Sequence, residues 1–142
     1  MKVRIFRKDQ TVAIPAYQTG GSVAFDLSPS EDTTIPSREV RLIPTGLVIC
    51  TPPGHMLLIA ARSSTPLKRG LMIANGIGIV DQDYCGPDDE IKLALYNFTD
   101  KPVEIKKGDR LAQGLFLKLD RVEWEEVKTL DSKTRGGFGS TG

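Results

Sequence analysis

The chain has 142 residues, with 19 Lys and Arg against 18 Asp and Glu and a single histidine. That length suits one globular domain, and a net charge of +1 gives no general electrostatic case for nucleic-acid or membrane binding, so any anion site must be built locally. Cys50 and Cys85 lack CxxC spacing, which argues against structural zinc and for a reduced, intracellular, cytoplasmic protein.

From Met1 to Lys8 apolar and basic residues alternate, predicting a strand rather than a signal peptide. The same period of two recurs at Val40 and Leu42, at Ile91, Leu93 and Leu95, at Val103 and Ile105, and at Val122 and Trp124, each set expected to face inward. Leu47 to Cys50 and His55 to Ala61 are nearly continuous apolar runs around Thr51-Pro52-Pro53-Gly54. They predict two central strands joined as a hairpin. One helix of about one turn is expected, with Ser64 or Thr65 as N-cap, Pro66 opening it and Gly70 stopping it. Closely spaced strands broken by Gly, Pro, Asp and Asn predict a closed or doubly layered antiparallel barrel over residues 1–127, followed by a polar tail over 128–142.

Five segments carry groups with chemistry. Asp26 sits within the apolar strand Val23 to Leu27, where a hydrogen-bonded structural aspartate is the commoner outcome than a metal ligand. Arg62-Ser63-Ser64 precedes the helical turn and offers a guanidinium fork and two hydroxyls to an anion. Asn75-Gly76-Ile77-Gly78 permits a tight hairpin whose backbone groups could read a base edge. Asp81 follows Ile79 and Val80 directly, placing a carboxylate where it needs a task or a partner, and Tyr84 lies close behind. Such a carboxylate can take a proton from water attacking phosphorus. In Gly108-Asp109-Arg110-Leu111-Ala112-Gln113 a turn, a cation and an amide lead into an apolar run, and Arg110 could meet a carboxylate or a ligand. Finally, Gly136, Gly137, Gly139 and Gly142 surround Phe138, Ser140 and Thr141, a tail able to wrap phosphate with backbone N–H groups and hydroxyls.

In this order the five segments resemble the trimeric dUTP pyrophosphatase (dUTPase) family over nearly the whole chain. The resemblance implies an all-β, jelly-roll-type barrel of β-clip form with one very short helix, assembled as a homotrimer with active sites shared between subunits. It implies Mg2+-dependent hydrolysis of dUTP to dUMP and pyrophosphate, with Asp81 as the general base. Asn75 and the backbone at Gly76 and Gly78 would hold uracil, and Tyr84 would pack on deoxyribose. Ser63, Ser64 and Gln113 would bind phosphate oxygens with Arg62 in support, while Asp26 would reach, through water, a Mg2+ held mainly by the substrate phosphates. Phe138 would stack on uracil as the tail closes, with Gly139, Ser140 and Thr141 on the phosphates. Lys133-Thr134-Arg135 departs from the family pattern, and either Lys133 or Arg135 would contact the γ-phosphate. Ala24 stands where Gly is common, and Pro87-Asp88-Asp89 reads as extra loop. dCTP deaminases share the fold and an Arg-Ser-Ser segment, but Asp81 with Tyr84 and the Phe-bearing tail argue against that rival, and Asp81 itself argues against a trimeric barrel that only binds dUTP as a signal and contacts a regulatory protein.

Overall fold

Fourteen glycines and nine prolines cut the chain into pieces too short for helices, and most of the pieces pair as strands. In the computed structural model, which describes residues 1–137, eleven strands form: β1 Ile5–Arg7, β2 Phe25–Leu27, β3 Thr33–Ile35, β4 Val40–Pro44, β5 Leu47–Ile49, β6 His55–Ala61, β7 Leu71–Ile73, β8 Gly78–Val80, β9 Lys92–Asn97, β10 Val103–Ile105 and β11 Ala112–Lys118. Every pairing is antiparallel. The sheets run β2-β11-β6-β8, β4-β9-β7, β1-β5 and β3-β10 around one core, a jelly-roll-type barrel as expected.

The core follows from strand parity. Leu57 and Ile59 on β6, Leu93 and Leu95 on β9 with Ile91 just before it, Leu27 on β2 and Ile105 on β10 turn inward and are buried. Each such aliphatic side chain stabilises the fold by about 2 kcal/mol. One polar group joins them: the buried Asn97 amide donates to the carbonyls of Ile35 and Lys101 and accepts from the Thr99 N–H. It ties the end of β9 to the end of β3, and its polar atoms are satisfied as burial requires.

The helical turn forms at Thr65–Arg69 with Pro66 inside its first turn, and Gly70 closes it at φ 63°, where its N–H donates to the Pro66 carbonyl. Thr65 donates its hydroxyl to the Leu111 carbonyl at 2.6 Å, which joins the turn to the residue preceding β11.

Several expectations are corrected. The Pro52-Pro53-Gly54 turn exists, with the His55 N–H on the Pro52 carbonyl, but it does not close a hairpin, because β5 pairs with β1 while β6 pairs with β11 and β8. The Asn75-Gly76 turn likewise switches sheets, since β7 pairs with β9 and β8 with β6. Val40 and Leu42 face outward, and Ile43 is the inward residue of β4. Val122 and Trp124 form no strand, and Trp124 is 93% exposed. Cys50 and Cys85 are joined as a disulfide, with Cα atoms 4.9 Å apart, rather than standing as reduced thiols. No helix among the described residues is long and apolar enough to cross a membrane.

Candidate active site

β8 and the segment after it build one wall of an open cavity of about 440 Å3, lined by Asn75, Gly78, Asp81 and Tyr84 together with Leu42, Ile59 and Ile91. The Asn75 turn reaches it because Gly76 adopts φ 77° and donates its N–H to the Ile73 carbonyl. Gly78 lies directly opposite Ile59 of β6, and a Cβ added there would stand 3.1 Å from the Ile59 Cβ, tighter than ordinary contact. The absent side chain therefore keeps the strands close and leaves the Gly78 backbone open to a ligand. Asp81 is exposed at the end of β8, and it makes none of the ion pairs found among the described residues. Tyr84 is 40% exposed at the cavity edge, its hydroxyl donating to the Glu90 carbonyl at 3.1 Å. Among the wall residues, Leu42 and Lys92 were not foreseen. Both sit on the outward parity of strands whose other face is core, the one signal that could have found them.

Asp26, Arg62, Arg110 and Gln113 gather on the other side of the same sheet region. Gln113 of β11 stands opposite both Asp26 of β2 and Ala60 of β6, and its side-chain amide donates to the Ala61 carbonyl. The Arg62 Nε lies 2.9 Å from one Asp26 oxygen, and an Arg110 nitrogen lies 3.3 Å from the other. Arg62 also donates to the Arg110 carbonyl. The Asp26 side chain is only 12% exposed, so this carboxylate is compensated by two guanidinium groups rather than by water. Asp109 serves structure: its carboxylate accepts from the Lys106 N–H and pairs with Arg69. Ser63 is exposed and half-buried Ser64 makes no side-chain capping bond, which leaves the Ser64 hydroxyl free of the duty that would compete with an anion.

The two groups are not adjacent within one chain. Val80 pairs with Leu57 near the start of β6, whereas Arg62 follows its far end. At about 3.3 Å per residue, the separation between Asp81 and Arg62 along the sheet is roughly 20 Å. Lys133 and Arg135 are exposed and lie outside any strand. Phe138, Gly139, Ser140 and Thr141 fall outside the described residues.

Comparison with known proteins gives a consistent match. The family model described as dUTPase covers residues 10–142. A deoxyuridine 5'-triphosphate nucleotidohydrolase of Wolinella succinogenes is 42% identical over 100% of this chain and 95% of its own length, and one from Helicobacter pylori is 40% identical over 100% and 97%. Among solved structures, the dUTPase of Streptococcus mutans superposes with a TM-score of 0.79 at 29% identity, covering 87% of this chain and 100% of that one. The Staphylococcus bacteriophage 80alpha dUTPase, solved with dUPNHPP, superposes at 0.87 with 20% identity over 99% and 98% and supports the fold alone.

Proposed function

This chain belongs to the dUTPase family and is a dUTP diphosphatase, and we propose that it works through Asp81, with each site completed by a neighbouring subunit. The observation that carries this reading is the cavity in which Asn75, Gly78, Asp81 and Tyr84 converge while the anion-binding groups of the same chain stand elsewhere.

In the proposed mechanism uracil lies against the Asn75–Gly78 backbone, which supplies donors and acceptors and leaves no space for a 5-methyl group. Tyr84 packs on the deoxyribose and excludes a 2′-hydroxyl, a steric filter stronger than mere tolerance. Asp81 accepts a proton from a water aligned on the α-phosphorus as the P–O bond to the pyrophosphate group breaks. That releases dUMP and pyrophosphate. Ser63, Ser64 and Gln113 of another subunit grip phosphate oxygens. Arg62 is held in place by Asp26 and presents its remaining donors to the same anion. Lys133 or Arg135 meets the γ-phosphate, and Phe138, Gly139, Ser140 and Thr141 close over the nucleotide, excluding water.

A homotrimer would bring the two halves together. The outward face of β4-β9-β7 supports an interface, since exposed Val40 and Met72 both stand opposite half-buried Tyr96, with exposed Leu42 alongside. Among the described residues no three His, Cys, Asp or Glu side chains cluster as a cage, and Mg2+ in phosphate chemistry commonly uses one or two carboxylates plus the substrate. Asp26 fits that role through an intervening water, because both its oxygens already face guanidinium groups. Bound to the triphosphate, Mg2+ would neutralise charge and fix phosphate geometry. The proposed setting is the cytoplasmic deoxynucleotide pool, where the reaction limits uracil entry into DNA and supplies dUMP for dTMP synthesis, without direct nucleic-acid or membrane binding.

Incubation with dUTP, UTP, dTTP and dCTP plus Mg2+, followed by product separation, tests base, sugar and bond together. dUMP with pyrophosphate from dUTP alone is the expected result, and ammonia release from dCTP would favour the deaminase rival. For the shared site, mixed trimers of Asp81→Asn and Arg62→Ala chains should recover activity that neither homotrimer has, and the absence of rescue would mean that each subunit is self-sufficient.

A further inference from the structure

The segment Asp81–Glu90 is attached to the barrel by few bonds. Asp81, Gln82, Asp83 and Tyr84 are all exposed. Within the segment Gly86 donates its N–H to the Asp89 carboxylate, and Cys85 donates to the Asp83 carbonyl. Towards the barrel, Gln82 donates to the His55 carbonyl, and the Glu90 carboxylate accepts from the Gly46 N–H beside Lys8. None of these buries apolar surface, and such segments open locally at low free energy. The covalent exception is the Cys50–Cys85 bond. Cys50 directly follows β5, whose Leu47, Val48 and Ile49 are buried, and its own N–H is held by the Arg4 carbonyl. Cys85 directly follows Tyr84.

We propose that the Cys50–Cys85 disulfide is a positioning element of the nucleoside cavity: it anchors Tyr84 to the buried strand β5, so that discrimination between deoxyribose and ribose depends on the oxidation state of this pair. The Tyr84 hydroxyl bond to the Glu90 carbonyl sets the far end of the ring, and the disulfide sets the backbone at its base. With both in place the ring cannot retreat from a 2′-hydroxyl. A dithiol reductant supplies two electrons and two protons, the S–S bond becomes two thiols, and the reductant closes to its own disulfide. The Tyr84 end is then held by non-covalent bonds alone: those above, of which the Glu90–Gly46 bond is half-buried, together with the exposed Lys8–Asp88 pair and the Arg4 contact to the Cys85 sulfur. The sugar consequence rests on reading Tyr84 as the wall against deoxyribose, whereas the anchoring itself does not.

The test compares the full chain when air-oxidised, when reduced with dithiothreitol, and as Cys50→Ser/Cys85→Ser, with far-UV circular dichroism confirming that each stays folded. Hydrogen exchange is expected to rise at least about tenfold over residues 81–90 on reduction, with the amides of β6 and β11 unchanged. The ratio of kcat/KM for dUTP to that for UTP is expected to fall about tenfold through faster UTP turnover. Reoxidation should restore both, and the double variant should match the reduced chain and ignore dithiothreitol. Unchanged exchange over 81–90 overturns the anchoring. Raised exchange with an unchanged dUTP-to-UTP ratio overturns the selectivity role. If no form hydrolyses dUTP, the reading of the reaction fails with its sugar consequence, and the exchange measurement alone decides the anchor.

Discussion

Asp26 and Asp81 look alike in sequence, each a lone carboxylate on or just after a short apolar strand, yet the fold gives them opposite surroundings. Asp26 lies in β2, paired with Gln113 of β11, nearly buried, with a guanidinium on each oxygen, from Arg62 just after β6 and Arg110 just before β11. Asp81 stands beyond the last residue of edge strand β8, exposed over a cavity and outside the ion pairs of the described residues. A carboxylate whose lone pairs are committed to arginines is poorly placed to take a proton from water, whereas an uncommitted one at a cavity edge is free to do so. The difference comes from which strands flank each residue, and so it appears only once the sheets are assembled.

The two carboxylates should differ most when Asp81 is replaced. Asp81→Asn is expected to lower kcat about 1,000-fold. The melting temperature and the binding of a non-hydrolysable analogue should hardly change, and equal loss of stability in this variant would make Asp81 structural after all. Asp26→Asn should do the reverse. Leaving Arg62 and Arg110 without their shared partner is expected to cost about 2 kcal/mol in denaturant unfolding, with about a tenfold loss in kcat/KM as Arg62 loses its orientation. Near-normal stability with a far larger loss of turnover would move Asp26 into the chemistry.

Arg110→Gln sharpens the picture further. Its side chain is half exposed, so the single change should cost under about 1 kcal/mol. Combined with Asp26→Asn it should fall short of additivity, because the two remove one interaction. The smallest effect belongs to Asp32, an exposed carboxylate outside both groups. The Lys107 N–H, and then the Lys106 ammonium, hold its carboxyl below the ordinary value. A depressed carboxylate stabilises the fold above its unfolded pKa and loses that contribution as pH falls through its folded pKa. Melting curves of Asp32→Asn and the parent should therefore differ slightly at neutral pH and converge in acid. Divergence in acid would reverse the sign.

What was legible in the sequence was local. The turns at Pro52-Pro53-Gly54 and Asn75-Gly76, the helical turn opened by Pro66 and closed by Gly70, and the inward run of β9 depend on neighbouring residues. Asn75, Gly78, Asp81 and Tyr84 were found together because β8 and its flanks carry all four. Pairing was not legible. Both turns switch sheets, since partners are chosen by burial at long range rather than by the turn itself. Alternation could not say which parity of Val40, Arg41, Leu42 and Ile43 faces the core, nor that the alternating Val122 and Trp124 would lack a strand partner. Cys50 and Cys85 illustrate the same limit, for their spacing says nothing until β5 and the end of β8 come together.

The most direct measurement is a crystal structure with a non-hydrolysable dUTP analogue and Mg2+. The account predicts a water hydrogen-bonded to Asp81 of one subunit and in line with the α-phosphorus, whose oxygens are held by Ser63, Ser64 and Gln113 of its neighbour. An Asp81 carboxylate turned away from that phosphorus with no water between them, or Asp26 freed from both arginines and occupying that position, would contradict it.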